Sequence, residues 1–126
     1  MLTFDDFKTD GRLPVYQQIL EYVKRGAAAG TIADGDELPS RRVLSARLGI
    51  NPNTVQKAFA LLEEAGLIAS RAGSGSVMTL TPERVSELRA ELLEDELRGM
   101  VRVLKQTGLS AGEAAELIKK YWEEDE

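Results

Sequence analysis

The chain has neither cysteine nor histidine among its 126 residues. The first absence excludes disulfides, thiolate metal sites and cysteine nucleophiles. The second removes the most used general base and the commonest metal ligand. No nucleophile has a base placed beside it, so an enzyme is not expected, and neither is a cofactor or a metal. Glu91, Glu94 and Asp95 do recur at helical spacing, but without nitrogen or sulfur ligands nearby they read as a charged solvent face. No apolar run approaches membrane length, and the opening MLTFDDFKTD is too acidic and polar for a signal peptide. The expectation is a cytoplasmic protein with no membrane partner, long enough for one compact domain and a small appendage.

Net positive charge is also lacking. The formal charge is −5, which at first argues against a nucleic-acid partner. Its distribution reverses that inference. Residues 1–80 hold nine Lys/Arg and nine Asp/Glu, while residues 81–126 hold seven and twelve. Between Arg41 and Arg71 five basic residues face only two acidic ones. The basic surface is local and the tail carries the acidity. Binding through such a patch should depend on salt.

What is present is concentrated between Leu38 and Val77. Ser40 suits the N-cap of a helix over Arg41–Leu48, and Gly49 its termination. Asn51 suits the cap of a second helix, with Pro52 at its first position, where no N–H is needed. So short a link forces a steep helix crossing. In the second helix Val55, Ala58, Phe59 and Leu62 form one apolar face. Asn53, Gln56, Lys57 and Ala60 lie on the other side. Amides there can bind adenine edges bidentately, and a lysine can reach guanine or phosphate. Leu67–Ala72 and Ser76–Leu80 then read as short strands around Gly73-Ser74-Gly75, because glycine tolerates the positive φ of a tight hairpin. That loop lacks the Lys-Ser/Thr of a phosphate-binding loop and opens no helix. Arg71 sits beside the tip, suited to a phosphate or the minor groove.

Upstream, Pro14 begins a helix running to about Ala29, with Val15, Ile19, Tyr22 and Val23 as its apolar face and Gly30 as its stop. Asp34-Gly35-Asp36 reads as a turn and Glu37-Leu38 as a short strand. Leu2, Phe4 and Phe7 are free to pack on a neighbour. Downstream, Thr81 and Pro82 open a new helix. Its apolar positions include Val85, Leu88, Leu92, Leu97, Met100 and Leu104, and Gly108 breaks it. Ser110 to Glu113 fits a capping box, followed by Ala114, Leu117, Ile118, Tyr121 and Trp122. Two amphipathic helices are too few for an independent core. A second copy of the same tail is the simplest cover, with Leu88, Leu92, Leu97, Met100, Leu104 and Trp122 in the seam.

The stretch LPSRRVLSARLGINPNTVQKAFALLEEAGLIASRAGSGS resembles the DNA-binding domain of the GntR family of bacterial transcription regulators. LPVYQQILEYVKRGAAAGTIADGDELPS resembles that family's first helix and following strand, and the short tail is similar to the YtrA-like subfamily. The resemblance covers Leu13 to Leu80. It implies a dimeric winged helix that represses by covering an operator in double-stranded DNA. It implies contacts from Arg42, Asn51, Asn53, Thr54, Gln56, Lys57 and Gly73, and the basic pattern adds Arg41 and Arg71. Several relatives carry Arg where this chain has Pro52 and Gln56. The expected architecture is thus mainly α with a small β-hairpin: a winged helix-turn-helix over 1–80 and a two-helix dimerisation tail over 81–126. No effector is indicated. The alternative is a winged helix that turns its recognition face to a protein partner.

Overall fold

The fold was obtained as a computed structural model, described for residues 2–71 and 75–125. Its elements are α1 (Val15–Ala29), α2 (Arg41–Leu48), α3 (Pro52–Glu64), β1 (Ile68–Arg71), β2 (Gly75–Met78), α4 (Pro82–Gln106) and α5 (Ala111–Glu124). The expected mainly helical fold with a small hairpin is the one observed.

Local chemistry explains most boundaries. Ser40 Oγ accepts the Val43 N–H at 3.1 Å, and Asn51 Oδ1 accepts the Asn53 N–H at 2.8 Å. Each replaces a helical bond missing in the first turn. Gly49 stops α2 with φ +67, in the left-handed region where a Cβ is costly. Thr81 Oγ1 accepts the Arg84 N–H at 3.1 Å. Ser110 and Glu113 bond reciprocally, at 3.2 and 3.0 Å, as the capping-box pattern requires. Those hydrogen bonds hold the Glu113 carboxyl below its ordinary range.

Helix α3 is the centre of the first unit. Its Val55, Ala58, Phe59 and Leu62 are buried in one cluster with Ile19 and Val23 of α1, Leu44 of α2, Leu67 just before β1, and the strand residues Ile68 and Met78. The hairpin is antiparallel, in register from Ile68↔Met78 to Arg71↔Gly75. The segment expected as a short strand contributes one bridge, Glu37↔Val77, flanked by Leu38 N–H to Ser76 O and Met78 N–H to Asp36 O. Leu2 extends this edge by donating its N–H to Glu37 O at 2.8 Å. Gly26 lets α1 approach Ile32 closely: a Cβ there would lie 2.4 Å from Ile32 Cδ1, so that side chain would have to shift.

The chain divides into compact units Met1–Arg89 and Ala90–Glu126. The sequence reading put a boundary at Leu80. The compact unit extends further because Leu88 is wholly buried in its core and Arg89 Nε donates to Ala28 O at 2.9 Å, capping a carbonyl at the end of α1. Leu88 therefore has no surface left for a partner chain, and its expected place in a dimer seam is corrected to the core of its own protomer. Among the described residues of the second unit only Ala114 is buried. Leu97 is 55 % exposed, Met100 53 % and Trp122 73 %, with Leu92 and Leu104 half-buried. Among the described residues no helix is long and apolar enough to cross a membrane.

Candidate nucleic-acid interface

Three residues separate α2 from α3. Ser45 fixes that turn from inside: its buried hydroxyl donates to Ile50 O at 2.6 Å, while its own carbonyl accepts the Ile50 N–H at 3.1 Å. With Gly49 and the Asn51 cap, this turn sets the angle at which α3 leaves α2. The sequence reading identified the glycine and the asparagine. It missed Ser45, whose bond to residue 50 leaves no periodic trace.

The face opposite the core of α3 is polar. Asn53, Gln56 and Lys57 are exposed, as is Pro52; Thr54 is half-buried. The Asn53 and Gln56 side chains make no hydrogen bond within the described residues, so their amides stay available. Asn51 is exposed, but its side-chain oxygen is spent on the cap. Arg42 is exposed in the first turn of α2. Arg71 is exposed at the end of β1. Gly73, expected at the wing tip, lies outside the described residues. Among the described residues, no carboxylate lies within ion-pair distance of Arg42, Lys57 or Arg71, so each of these side chains keeps its positive charge for a partner.

The neighbouring arginines do other work. Arg41 is half-buried with its guanidinium 5.1 Å from the Phe59 ring centroid, and its Nε is buried without a partner. It turns toward the core, whereas Arg42, one residue and about 100° further round the helix, points to solvent. Both arginines were expected among the DNA contacts, Arg42 from the family resemblance and Arg41 from the basic pattern alone; of the two, Arg42 is the one left in solvent. Arg47 Nη1 donates to Thr3 O at 3.2 Å, tying down the N-terminal segment.

That segment is ordered by contacts the sequence reading left open. Phe4 stacks on Tyr22 with ring centroids 5.0 Å apart, and Phe7 meets both rings edge-on. The Tyr22 hydroxyl donates to Asp6 Oδ1. Burial, then this bond and the charges of Asp6 and Asp5, push the phenol up to about 12. Gln18, buried in α1, clamps the same region: its Nε2 donates to Asp10 O at 2.8 Å and Leu13 O at 2.6 Å, and its Oε1 accepts the Asp10 N–H at 2.9 Å.

Comparison with known proteins agrees with this geometry. The family model for bacterial regulatory proteins of the gntR family matches residues 15–78, the span from α1 to the end of β2. The HTH-type transcriptional repressor YtrA of Bacillus subtilis is 32 % identical over 108 residues, covering 85 % of this chain and 83 % of YtrA. The crystal structure of a transcriptional regulator from Oenococcus oeni superposes with a TM-score of 0.74 at 26 % identity, covering 94 % of this chain and 99 % of that one. The DNA-binding domain of AraR, solved in complex with operator ORX1, is similar at 26 % identity and a TM-score of 0.50, over 61 % of this chain and 93 % of its own. A turn locked by Ser45, a capped helix with a bare polar face and a two-stranded wing all lie inside the matched span, and the chain belongs to the GntR family of bacterial regulatory proteins, as a DNA-binding transcription regulator of the YtrA-like kind.

Proposed function

We propose that the chain acts in the cytoplasm as a homodimeric repressor that covers a two-fold operator. The observation that carries this reading is the contrast between its two exposed surfaces. Among the described residues of Met1–Arg89 the only large hydrophobic side chain left exposed is Val43, and the α3 face is made of amides and a lysine. That composition suits base edges and phosphates and offers little to a protein partner. In Ala90–Glu126 the exposed side chains include Leu93, Leu97, Met100, Val101, Ile118 and Trp122. Two isolated helices with such faces are covered most simply by an identical pair. Leu92, Leu97, Met100, Leu104 and Trp122 form the seam in this reading; Leu88 does not.

Within each protomer Asn53 and Gln56 read base edges from the start of α3. Thr54, Lys57 and Arg42 hold backbone, Arg71 and Gly73 bring the wing to the flanking DNA, and Asn51 shapes the helix start. Two recognition helices related by a dyad meet half-sites about one helical turn apart (roughly 34–36 Å) or a multiple of it. Selection from a random DNA pool should return an inverted repeat bound by two chains. A single asymmetric site bound by one chain would overturn the reading. Truncation after Arg89, which keeps Leu88 in its core, should yield a monomer that binds the selected duplex much more weakly.

A further inference from the structure

Lys57 is exposed and, among the described residues, has no carboxylate within ion-pair distance, yet it does not hang loose in solvent. Its Nζ lies 4.0 Å from the centroid of the Tyr16 ring. Tyr16 occupies the first turn of α1, and Lys57 lies in α3, 41 positions further along the chain. The packing of α1 on α3 brings them together through Ile19, Val23, Val55 and Phe59 beneath. Tyr16 is itself steadied, half-buried at the edge of that core, with its hydroxyl accepting from Gln17 Nε2 at 3.3 Å.

An ammonium over an aromatic face is held by the ring quadrupole without losing its charge. The ring covers one side of the cation and leaves the other N–H directions free. A lysine on four rotatable carbons normally loses much of that freedom when it grips a phosphate. A ring that already holds the ammonium over one face removes part of the loss beforehand. A carboxylate in the same place would also fix the lysine, but it would cancel the charge the DNA needs.

We propose that Tyr16 is a positioning residue for DNA docking, its ring holding the Lys57 ammonium at the protein surface where a backbone phosphate arrives. The inference rests on the reading of α3 as the DNA-contacting helix. It adds α1, through one ring, to the elements that set affinity. With Lys57 on a backbone phosphate, the ring's effect is the same on every sequence.

The test uses the full chain and a duplex selected by it from a random pool. Tyr16→Phe and Tyr16→Leu are compared, each with Lys57 and with Lys57→Ala. The Phe/Leu comparison isolates the ring from the hydroxyl. With Lys57 present, the leucine variant should bind about two- to five-fold more weakly than the phenylalanine one, part of the cost of immobilising one long side chain on binding. In the Lys57→Ala background the two should bind alike. Equal losses in both backgrounds would mean that Tyr16 acts through the fold alone, and tighter binding by the leucine variant would mean that the ring withholds Lys57 from DNA; either overturns the proposal. If Lys57→Ala alone leaves affinity unchanged, the DNA-contact reading of Lys57 has failed first. A measurement on the unmutated chain guards against misfolding of the variants. The ε-methylene protons of Lys57 should show an upfield ring-current shift in the free protein and keep it in the DNA complex. Its disappearance on binding would also overturn the proposal.

Discussion

Leu88→Ala separates the core of the winged unit from the surface of the tail. Leu88 is wholly buried, in the same cluster as Phe59, Leu62 and Met78. Truncation there removes three buried carbons and leaves a cavity that helix α4 cannot readily close. Fully buried leucines of this kind cost about 2–5 kcal/mol when cut to alanine, so about 3 kcal/mol is a fair expectation. For a unit that ends at Arg89, each kcal/mol lowers the melting temperature by about 4–8 °C, giving a drop of about 12–24 °C. The assay is thermal and urea unfolding by circular dichroism at one fixed protein concentration, because assembly itself shifts apparent stability. Sedimentation of the folded variant at low temperature is run alongside. A variant that keeps its melting temperature but dissociates into monomers would refute the assignment of Leu88 to the core and return it to the seam.

Trp122→Ala, which cuts the most exposed aromatic of the tail, should weaken the dimer by about 2 kcal/mol, or about 30-fold, if the ring anchors the seam; an unchanged dissociation constant by dilution light scattering would remove it from the interface. Asn53→Ala or Gln56→Ala should each cost about 1–3 kcal/mol on the selected duplex and relax one base position, whereas Arg42→Ala should weaken all DNA similarly and lower the salt slope by about one contact. Equal losses for all three on specific and random DNA would contradict that division. Tyr22, whose phenol is pushed up to about 12, favours the folded state fully below its unfolded value of about 10; that contribution is lost as pH rises from there through about 12. Tyr22→Phe should remove one late-titrating tyrosinate from the ultraviolet titration, and a difference spectrum already half complete near the unfolded value of about 10 would contradict the raised value.

Much of this fold is written in short-range chemistry. Ser40, Asn51 and Ser110 each cap a helix that starts at the next residue. A cap satisfies donors only two or three positions away, so it needs no tertiary contact to be legible. The same holds for Gly49, and for Val55, Ala58, Phe59 and Leu62, whose spacing follows from the helical period alone. The amide-bearing face of α3 is the complement of that stripe and was therefore visible too. The strand expected at Glu37-Leu38 came out as one bridge, because its pairing depends on where β2 lies and not on its own residues.

Tertiary structure decided which surface positions have partners. Arg41 and Arg42 are alike in type and neighbourhood; the first meets the Phe59 ring that α3 brings against α2, and the second, about 100° further round the helix, stays in solvent. Leu88 and Leu97 belong to one apolar stripe in the sequence; packing buries the first completely and leaves the second 55 % exposed. Gln18 reads as an ordinary polar helix residue until the backbone of Asp10 and Leu13 folds onto it. Tyr16 finds Lys57 only because α1 lies across α3. Local pattern specifies which face of a helix is apolar, since that depends on residues three and four apart. It carries no information on what arrives against that face from distant parts of the chain, and at Arg41, Leu88, Gln18 and Lys57 the arriving group sets the role.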